Sequence, residues 1–231
     1  ESDGRSTLCE MANAARQLGL SYLGISDHSK SSFQANGLSE ERLLKQVAEI
    51  RAMNATLDDL DLYAGNEVDI LRDGSLDFDN EILAQLDYVV ASVHASFNLS
   101  EKEMTDRLIK AMENPYVSML GHPSGRLLLR RDAYAVNHEK IIDCASATGT
   151  VIELNCSAKR MDMDWRWWKR ARDKGVICSV NPDAHHVDGF QNLHFGIRVA
   201  RKGWLRREDI LNCRSSQEIS EWMQTPKEER V

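Results

Sequence analysis

Four of the seven histidines share one feature, because each follows a short, apolar, β-prone run. They are His28, His94, His122 and His185. Glu67 and Asp183 stand at equivalent points after such runs. A single histidine at a strand end is often just a hydrogen-bonded residue, but six such residues together indicate a site. Imidazole and carboxylate groups without cysteine suit Zn²⁺, Mn²⁺ or Fe.

The carboxylates add a second implication to this set. A carboxylate can bridge two ions, which an imidazole rarely does, so the set predicts a multinuclear centre. Clustered ions can lower the pKa of bound water to ~7 and hold both the attacking and the leaving oxygen of a phosphoester. We therefore expect phosphoester hydrolysis. The remaining histidines, His138, His186 and His194, are not assigned to the site.

The elements that must position these residues alternate between strands and helices. The predicted strands are Tyr22–Ile25, Leu62–Ala64, Tyr88–Ala91, Val117–Leu120, Val151–Leu154 and Val176–Val180. Helices between them are indicated by N-caps at Ser39, Ser100 and Asn137 and by ends at Gly149 and Gly175. Functional residues after nearly every strand favour a barrel over an open doubly wound sheet.

Composition is typical of one soluble globular domain. The chain has 231 residues, 42% hydrophobic and 28% charged, without a linker-like stretch, so we predict a single domain over residues 1–231. Five scattered cysteines without a C-x-x-C pair exclude a zinc ribbon and suit a reducing compartment. No apolar run reaches the ~20 residues of a membrane span, so we expect a cytoplasmic protein without a membrane partner.

The net charge of the chain limits how it could bind an anionic substrate. The net charge of −7 excludes a general attraction to nucleic acid, so any phosphate must be met locally, by metal ions or a basic patch. The charged stretch after about Gln224 is expected to fray.

Several short motifs resemble, in order, those of the polymerase and histidinol phosphatase (PHP) superfamily. They are Ser2-Asp3-Gly4, Ile25-Ser26-Asp27-His28-Ser29, Gly65-Asn66-Glu67-Val68-Asp69-Ile70, Ala91-Ser92-Val93-His94, Gly121-His122-Pro123 and Asp183-Ala184-His185. Longer stretches resemble the C-terminal PHP domain of bacterial family X DNA polymerases. These are Ser92–Phe97, Gly121–Leu128, Glu153–Asn155 with Arg160–Asp162, and Ala200–Leu205 with Leu211-Asn212.

This resemblance implies an α/β fold, a distorted (β/α)7 TIM-like barrel with up to three divalent ions, Mn²⁺ or Zn²⁺, at its C-terminal mouth. It implies a 3′-5′ exonuclease or related phosphodiesterase acting on single-stranded or gapped DNA 3′ ends, with a polymerase domain in the same longer chain. Glu67 corresponds to a bridging carboxylate, and the other implied ligands are Asp183 for the first ion, His94 for the second, His28, His122 and His185 for the third, and Asp3 for an unassigned ion.

One part of the family pattern is missing from this sequence. In the family a His-x-His pair on the first barrel strand precedes the Ser-Asp-Gly motif, whereas here Glu1 stands directly before Ser2. We therefore expect the first strand to be absent from this chain. Two alternatives to the DNA phosphodiesterase stay open: a small-molecule phosphatase of the histidinol phosphatase type, and a catalytically silent module that supports a polymerase.

Basic residues near the predicted site are candidates for substrate contacts. Arg126 follows the His122 loop and could clamp a phosphate or, alternatively, pair with a neighbouring carboxylate. Asn155 and Arg160 are further candidate substrate-binding residues. A wider basic cluster could contact DNA or form a solvated face, and three tryptophans could stack on bases or pack internally. Its members are Arg130, Arg131, Lys159, Arg160, Arg166, Lys169 and Arg170, and the tryptophans are Trp165, Trp167 and Trp168.

Overall fold

A computed structural model describes residues 1–230 and contains one six-stranded sheet in which every neighbouring pair is parallel. The spatial order follows the chain order from first to last strand. The strands are β1 (Tyr22–His28), β2 (Asp61–Asp69), β3 (Tyr88–Ser92), β4 (Met119–Leu120), β5 (Val151–Asn155) and β6 (Cys178–Asn181). Sequential parallel strands with intervening helices confirm the predicted TIM-like α/β fold, here as a half-barrel.

Helices lie in the connections between strands. They are α1 (Leu8–Gln17), α2 (Glu40–Asn54), α3 (Asn80–Leu83), α4 (Glu101–Met112), α5 (His138–Thr148), α6 (Trp165–Asp173), α7 (Leu193–Lys202) and α8 (Ser216–Gln224). The predicted caps are present: Ser39, Ser100 and Asn137 each accept a hydrogen bond from an amide of the first turn. Gly149 ends α5 with φ of 65°, a left-handed conformation that favours glycine.

Two layers of apolar residues hold the sheet in place. The larger core lies between the helices and the sheet and includes Leu43, Leu108 and the fully buried Trp168. A smaller cluster around Tyr88 and Trp222 fills the space under the other face. A Cβ atom at Gly65 would come within 2.4 Å of the Tyr88 ring, so only glycine fits where β2 passes this ring.

Both β1 and β2 extend further than the sequence pattern predicts. The paired register runs from Tyr22 opposite Asp61 to His28 opposite Glu67, so both functional residues lie inside strands rather than after them. β2 continues because it also pairs with β3, as far as Asp69 opposite Ser92. Backbone hydrogen bonds to β1 and β3 thus keep residues 66–69 in the strand, although polar residues among them have low β-propensity. This register places the His28 and Glu67 side chains next to each other.

The sheet does not close within residues 1–230, since β1 and β6 are its two edges. A cavity of about 1240 Å³ lies between them, lined by Tyr22 and Val180 on its two sides and reaching Glu67. None of the helices described here is both long and apolar enough to cross a bilayer.

The expectation that the C-terminal tail frays is wrong. Lys227 is buried, and its Nζ donates hydrogen bonds to the carbonyls of Met112 and Asn114. The Arg230 guanidinium lies 4.3 Å from the ring centre of Trp222. The tail therefore docks because its long basic side chains cap the end of α4 and cover an aromatic ring, an effect invisible in local composition.

Candidate metal centre

The seven ligands named from the sequence come from six separate parts of the chain and meet at the C-terminal end of the sheet. Asp3 reaches it from the N-terminal segment, and His28 and Glu67 from β1 and β2. His94 follows β3, His122 follows β4, and Asp183 with His185 follows β6. Each residue is thus delivered by a parallel strand or by the segment beside it.

Glu67 is the centre of one group. Its Oε2 lies 3.3 Å from His28 Nδ1, and its Oε1 lies 3.4 Å from His94 Nε2 and 2.9 Å from His122 Nε2. Burial alone would raise the pKa of Glu67, but His94 and His122 outweigh it and hold that pKa well below its ordinary value. An ionised carboxylate with both oxygens facing imidazole nitrogens has the form a bridging ligand requires.

A second group adjoins the first and shares His28 with it. Asp3 lies 4.0 Å from His28 Nε2 through Oδ1 and 3.3 Å from His185 Nε2 through Oδ2. His185 Nδ1 is 3.6 Å from Asp183 Oδ1. Each trio, Asp3–His28–His185 and His28–Glu67–His94, offers three ligand atoms within 4.8 Å of one another. Two adjacent ions could therefore share the site.

The donor set fits divalent ions on geometric grounds. Within residues 1–230, His28 Nδ1 and His94 Nε2 are buried and have no hydrogen-bond partner, although each faces a Glu67 oxygen. Ligand atoms bound at ~2.1 Å to one tetrahedral ion stand about 3.4 Å apart, which matches these N–O separations. Buried nitrogens are rarely left unpaired, so a shared cation explains the arrangement better than a missed hydrogen bond.

Two of the named ligands have unusual backbone conformations. His122 has φ of 22° and Asp183 has φ of 50°, both in the left-handed region that non-glycine residues seldom adopt. Such strain is maintained when surrounding structure fixes the residue. At His122 that structure includes its amide, which donates to Glu153 Oε2 at 2.7 Å.

Asp69 belongs to the site but has no role in the sequence analysis. Its Oδ1 lies 2.7 Å from His94 Nδ1, and its Oδ2 accepts a hydrogen bond from Ser32 Oγ at 2.6 Å. A carboxylate on the far nitrogen of a metal-binding histidine fixes the ring and its tautomer. The signal was available, because residues two apart in a strand share a face and Asp69 follows Glu67 by two.

Replacing Asp69 with Asn should weaken metal binding without abolishing it. The amide still reaches His94 Nδ1 but no longer enforces the same tautomer, so we expect a 10- to 100-fold loss of affinity. Titration calorimetry with Mn²⁺ and Zn²⁺ measures this change. Asp77→Asn is a matched control, since Asp77 binds Ser31 rather than a histidine. Equal affinities for both variants and wild type would contradict the orienting role of Asp69.

Glu153 is a second residue that the sequence analysis missed. It is buried in the middle of β5, where it accepts hydrogen bonds from the His122 amide and from Asn181 Nδ2, the latter at 3.0 Å. Burial, with help from the charges of Asp183 and Glu67, raises the pKa of Glu153 to about 8. A glutamate in an otherwise apolar strand run is the sequence signal that could have identified it.

The histidines differ in how they hold protons when no metal is bound. Burial alone would lower the pKa of His94, but the Glu67 and Asp69 carboxylates raise it to about 10. Asp3 raises the pKa of His185 to about 9. Burial and the nearby Arg160 instead lower the pKa of His122. At neutral pH His94 and His185 therefore carry protons, whereas His122 is neutral.

This proton inventory predicts the pH dependence of metal binding. A histidine must lose its proton to ligate a metal, so filling the site at pH 7.5 should release about two protons, from His94 and His185. Apparent affinity should therefore rise with pH until about pH 9–10, where the metal-free protein has already lost them. Calorimetry in buffers of different ionisation enthalpy counts the protons. Release of none would contradict ligation by these two histidines.

Arg126 corrects the sequence analysis, which expects a phosphate clamp. Its Nε donates to the carbonyl of Arg160 at 2.8 Å, its Nη1 to Asp164 Oδ2 at 2.9 Å, and its Nη2 to the carbonyl of Met161. The alternative, pairing with a neighbouring carboxylate, is what occurs. Proximity of Arg126 to His122 in sequence could not reveal that residues 160–164 would fold over this guanidinium.

We expect Arg126→Ala to act on stability rather than on substrate binding. Its removal leaves two carbonyls and a carboxylate without their donor, which costs about 2–4 kcal/mol of unfolding free energy. Urea denaturation measures this loss. Arg166→Ala is the control, because Arg166 binds the same Asp164 from an exposed position and its removal should cost much less stability. Unchanged stability in Arg126→Ala would contradict this structural role.

Asn155 and Arg160, the further candidate substrate-binding residues, both lie beside Asp183. Asn155 Nδ2 donates to Asp183 Oδ2 at 3.0 Å, and Arg160 Nε lies 3.6 Å from the same oxygen. Arg160 Nη1 is buried, and no hydrogen-bond partner is present for it in the described chain. A guanidinium with a free donor beside the ligand cluster can bind an oxyanion.

The three tryptophans beside the basic cluster lie in different surroundings. Trp168 is fully buried and its indole N–H donates to the Met163 carbonyl, so it packs internally. Trp167 packs against His138, outside the metal centre, with ring centres 5.0 Å apart and the ring planes tilted by 36°. Trp165 is partly exposed, with Lys202 Nζ 4.5 Å from its ring centre. Packing and surface pairing therefore explain the tryptophans.

Comparisons with known proteins identify relatives of two kinds. The chain is 39% identical to the DNA polymerase/3′-5′ exonuclease PolX of Bacillus subtilis (strain 168) over 222 residues, which are 96% of this chain and 39% of that protein. It is 29% identical over 217 residues to a protein described as a probable phosphatase from Thermoanaerobacter sp. (strain X514), covering 90% of this chain and 84% of that protein. No family model matches.

A solved structure supports the fold. The histidinol phosphate phosphatase of Lactococcus lactis, crystallised with zinc, L-histidinol and phosphate, superposes with a TM-score of 0.61 at 13% identity, over 89% of this chain and 90% of that one. The half-barrel, the ordered motifs and the relatives of both kinds agree. The chain therefore belongs to the polymerase and histidinol phosphatase (PHP) superfamily of phosphoesterases.

Proposed function

We propose that this chain is a metal-dependent phosphodiesterase that removes nucleotides from DNA 3′ ends. The observation that carries the proposal is Glu67, whose two oxygens face three histidines in the manner of a bridging ligand. The DNA polymerase/3′-5′ exonuclease relative supports DNA as the substrate. Since the chain spans 39% of that relative, we also propose that it acts beside a polymerase domain of a longer polypeptide.

The residues of the site would have three roles: holding the ions, orienting their ligands and binding the phosphate. Glu67 would hold two or three divalent ions, Mn²⁺ or Zn²⁺, together with six further ligands. These are Asp3, His28, His94, His122, Asp183 and His185. When bound, these ions would supply an activated water and a Lewis acid for the phosphoryl oxygens. Asp69 keeps His94 oriented, and Asn155 keeps Asp183 oriented. Arg160 would bind a non-bridging phosphate oxygen through its free Nη1.

Glu153 would fix the backbone conformation of His122, next to the position proposed for the phosphate. It holds the amide of His122, a residue in a left-handed conformation, and its own raised pKa keeps this buried group largely uncharged near neutral pH. In the metal-free protein an uncharged Glu153 adds no negative charge to the nearby carboxylates of Glu67 and Asp183.

The test is an assay of the full-length natural polypeptide with Mn²⁺ on a single-stranded oligonucleotide labelled at its 5′ end. We expect progressive shortening from the 3′ end. Histidinol phosphate, assayed in parallel, tests the second candidate, a small-molecule phosphatase, which the Lactococcus structure favours. Turnover of histidinol phosphate alone would replace the proposal with that candidate. Metal binding with turnover of neither substrate would support a silent module instead.

A further inference from the structure

The rim of the metal centre carries an exposed phenyl ring. Phe33 lies on a single-turn 3-10 helix in the loop after β1, and 87% of it is exposed. The preceding residue, Ser32, donates from Oγ to Asp69 Oδ2 at 2.6 Å and lies 3.5 Å from His94 Nδ1. The ring is therefore one residue away from a group that touches a candidate metal ligand.

The turn that presents Phe33 is fixed. Ser31 donates from its amide and its hydroxyl to Asp77, at 2.7 and 2.6 Å. The Gly37 amide closes the turn onto the Ser32 carbonyl at 3.1 Å. Only glycine fits at position 37, since a Cβ atom there would come within 1.9 Å of the Ser29 carbonyl oxygen. A rigid backbone thus holds this apolar ring in solvent.

A second apolar side chain is presented in the same way on another loop. Leu129, in the loop after β4, is fully exposed and has φ of 63°. Leu127 and Arg131 bond each other's backbone at 2.9 and 2.7 Å, which makes the loop a closed hairpin. The Leu128 amide donates to the Lys159 carbonyl at 2.6 Å, next to Arg160. The tip is therefore tied to the segment that carries the free guanidinium.

The strand order places these two side chains on opposite flanks of the cluster. Glu67 on β2 and His94 after β3 lie between the loops that follow β1 and β4. A strand bound across the cluster, from the loop after β1 to the loop after β4, could therefore touch both Phe33 and Leu129. A small phosphate monoester has an organic group on one side of its phosphorus only. A nucleic acid strand carries a base on each side of the scissile phosphate.

We propose that Phe33 and Leu129 bind the two nucleobases that flank the scissile phosphate of a single-stranded DNA 3′ end. This inference rests on the proposed function and adds the structural basis of its substrate choice. Phe33 would stack on one base, a contact that tolerates any sequence because every base has an aromatic face. Leu129 would make an apolar contact with the other base. Arg160 would bind the phosphate between them.

The test compares how the full-length protein binds and shortens two oligonucleotides. One carries normal bases throughout, and the other has abasic residues at its last two positions. Binding is measured by fluorescence anisotropy with a chelator present, and kcat/KM for shortening is measured with Mn²⁺. Phe33→Ala should weaken binding of the normal oligonucleotide about tenfold and leave the abasic one unchanged. Leu129→Ser should show the same selectivity with a smaller, about threefold, loss.

Two control variants sharpen the result. Phe33→Trp should retain wild-type affinity because an indole also stacks on bases. Leu18→Ala removes an equally apolar, exposed side chain at the end of α1 and should change nothing. Equal losses on both oligonucleotides, or none on either, would overturn the base contacts. The first result would assign Phe33 and Leu129 to contacts with the DNA backbone.

Failure of the base contacts and failure of the proposed function give different results. If the wild-type protein shortens both oligonucleotides equally well, the phosphodiesterase stands and the base contacts are overturned. If the wild-type protein neither binds nor shortens the normal oligonucleotide, the proposed function falls, and this inference falls with it. Because Phe33 and Leu129 are exposed, their variants should fold, which circular dichroism checks.

Discussion

Glu67→Gln should reduce the rate of 3′ shortening by on the order of 10³-fold or more. The amide has the size and shape of the carboxylate but lacks the negative charge that would hold two cations near three imidazoles. Both oxygens of Glu67 face histidine nitrogens, at 2.9–3.4 Å, so the substitution affects the ligand common to the group. The kcat of the Mn²⁺-loaded, full-length protein is the quantity to measure.

Two further measurements make this result interpretable. Metal content by mass spectrometry should fall in Glu67→Gln, while circular dichroism should be unchanged. Glu81→Gln, on the exposed surface of α3, is the matched control and should keep full activity. Near-normal shortening by Glu67→Gln with unchanged metal content would refute the bridging role.

Arg160→Leu should lower kcat/KM by about 10²–10³-fold, the second-largest expected effect. Leucine keeps much of the aliphatic packing but removes the buried, unpartnered Nη1 and the contact between Nε and Asp183 at 3.6 Å. Steady-state kinetics on the single-stranded oligonucleotide measures this loss. An effect on KM alone would indicate that Arg160 binds the phosphate equally in the ground and transition states.

The control for Arg160 is Arg16→Leu. Arg16 pairs with Asp59 at 2.8 Å near the end of α1 and should have no effect on turnover. Because Arg160 also lies beside Asp183, metal content must be measured in the same samples. Loss of metal equal to the loss of activity would assign Arg160 to ligand positioning instead of substrate binding, contrary to our expectation.

Much of the fold is predictable from local signals. Side-chain caps at Ser39, Ser100 and Asn137 and the left-handed Gly149 satisfy nearby backbone groups, so they can be recognised within a few residues. Strand ends are less predictable, because pairing with neighbours extends β2 through Asp69. The docked tail depends on Lys227 meeting the Met112 carbonyl, 115 residues away in sequence.

In the candidate site, too, some features follow from local sequence and others from distant partners. Strand ends deliver histidines and carboxylates to one place, so a pattern of strand followed by ligand indicates the cluster. What each side chain does there depends on partners distant in sequence. Arg126 binds carbonyls 34 and 35 residues further along the chain, and Glu153 holds the His122 amide across the sheet. These partnerships appear only after the strands are aligned.

Anomalous X-ray scattering from crystals grown with Mn²⁺ tests the metal centre most directly. A centre bridged by Glu67 predicts at least two peaks, one about 2.2 Å from each carboxylate oxygen, with histidine nitrogens completing the coordination. His28 Nδ1, which faces Oε2, and His94 Nε2, which faces Oε1, give the expected positions of the two peaks. Peaks that lie away from Glu67, or a single ion held by only one of its oxygens, would contradict the bridged centre.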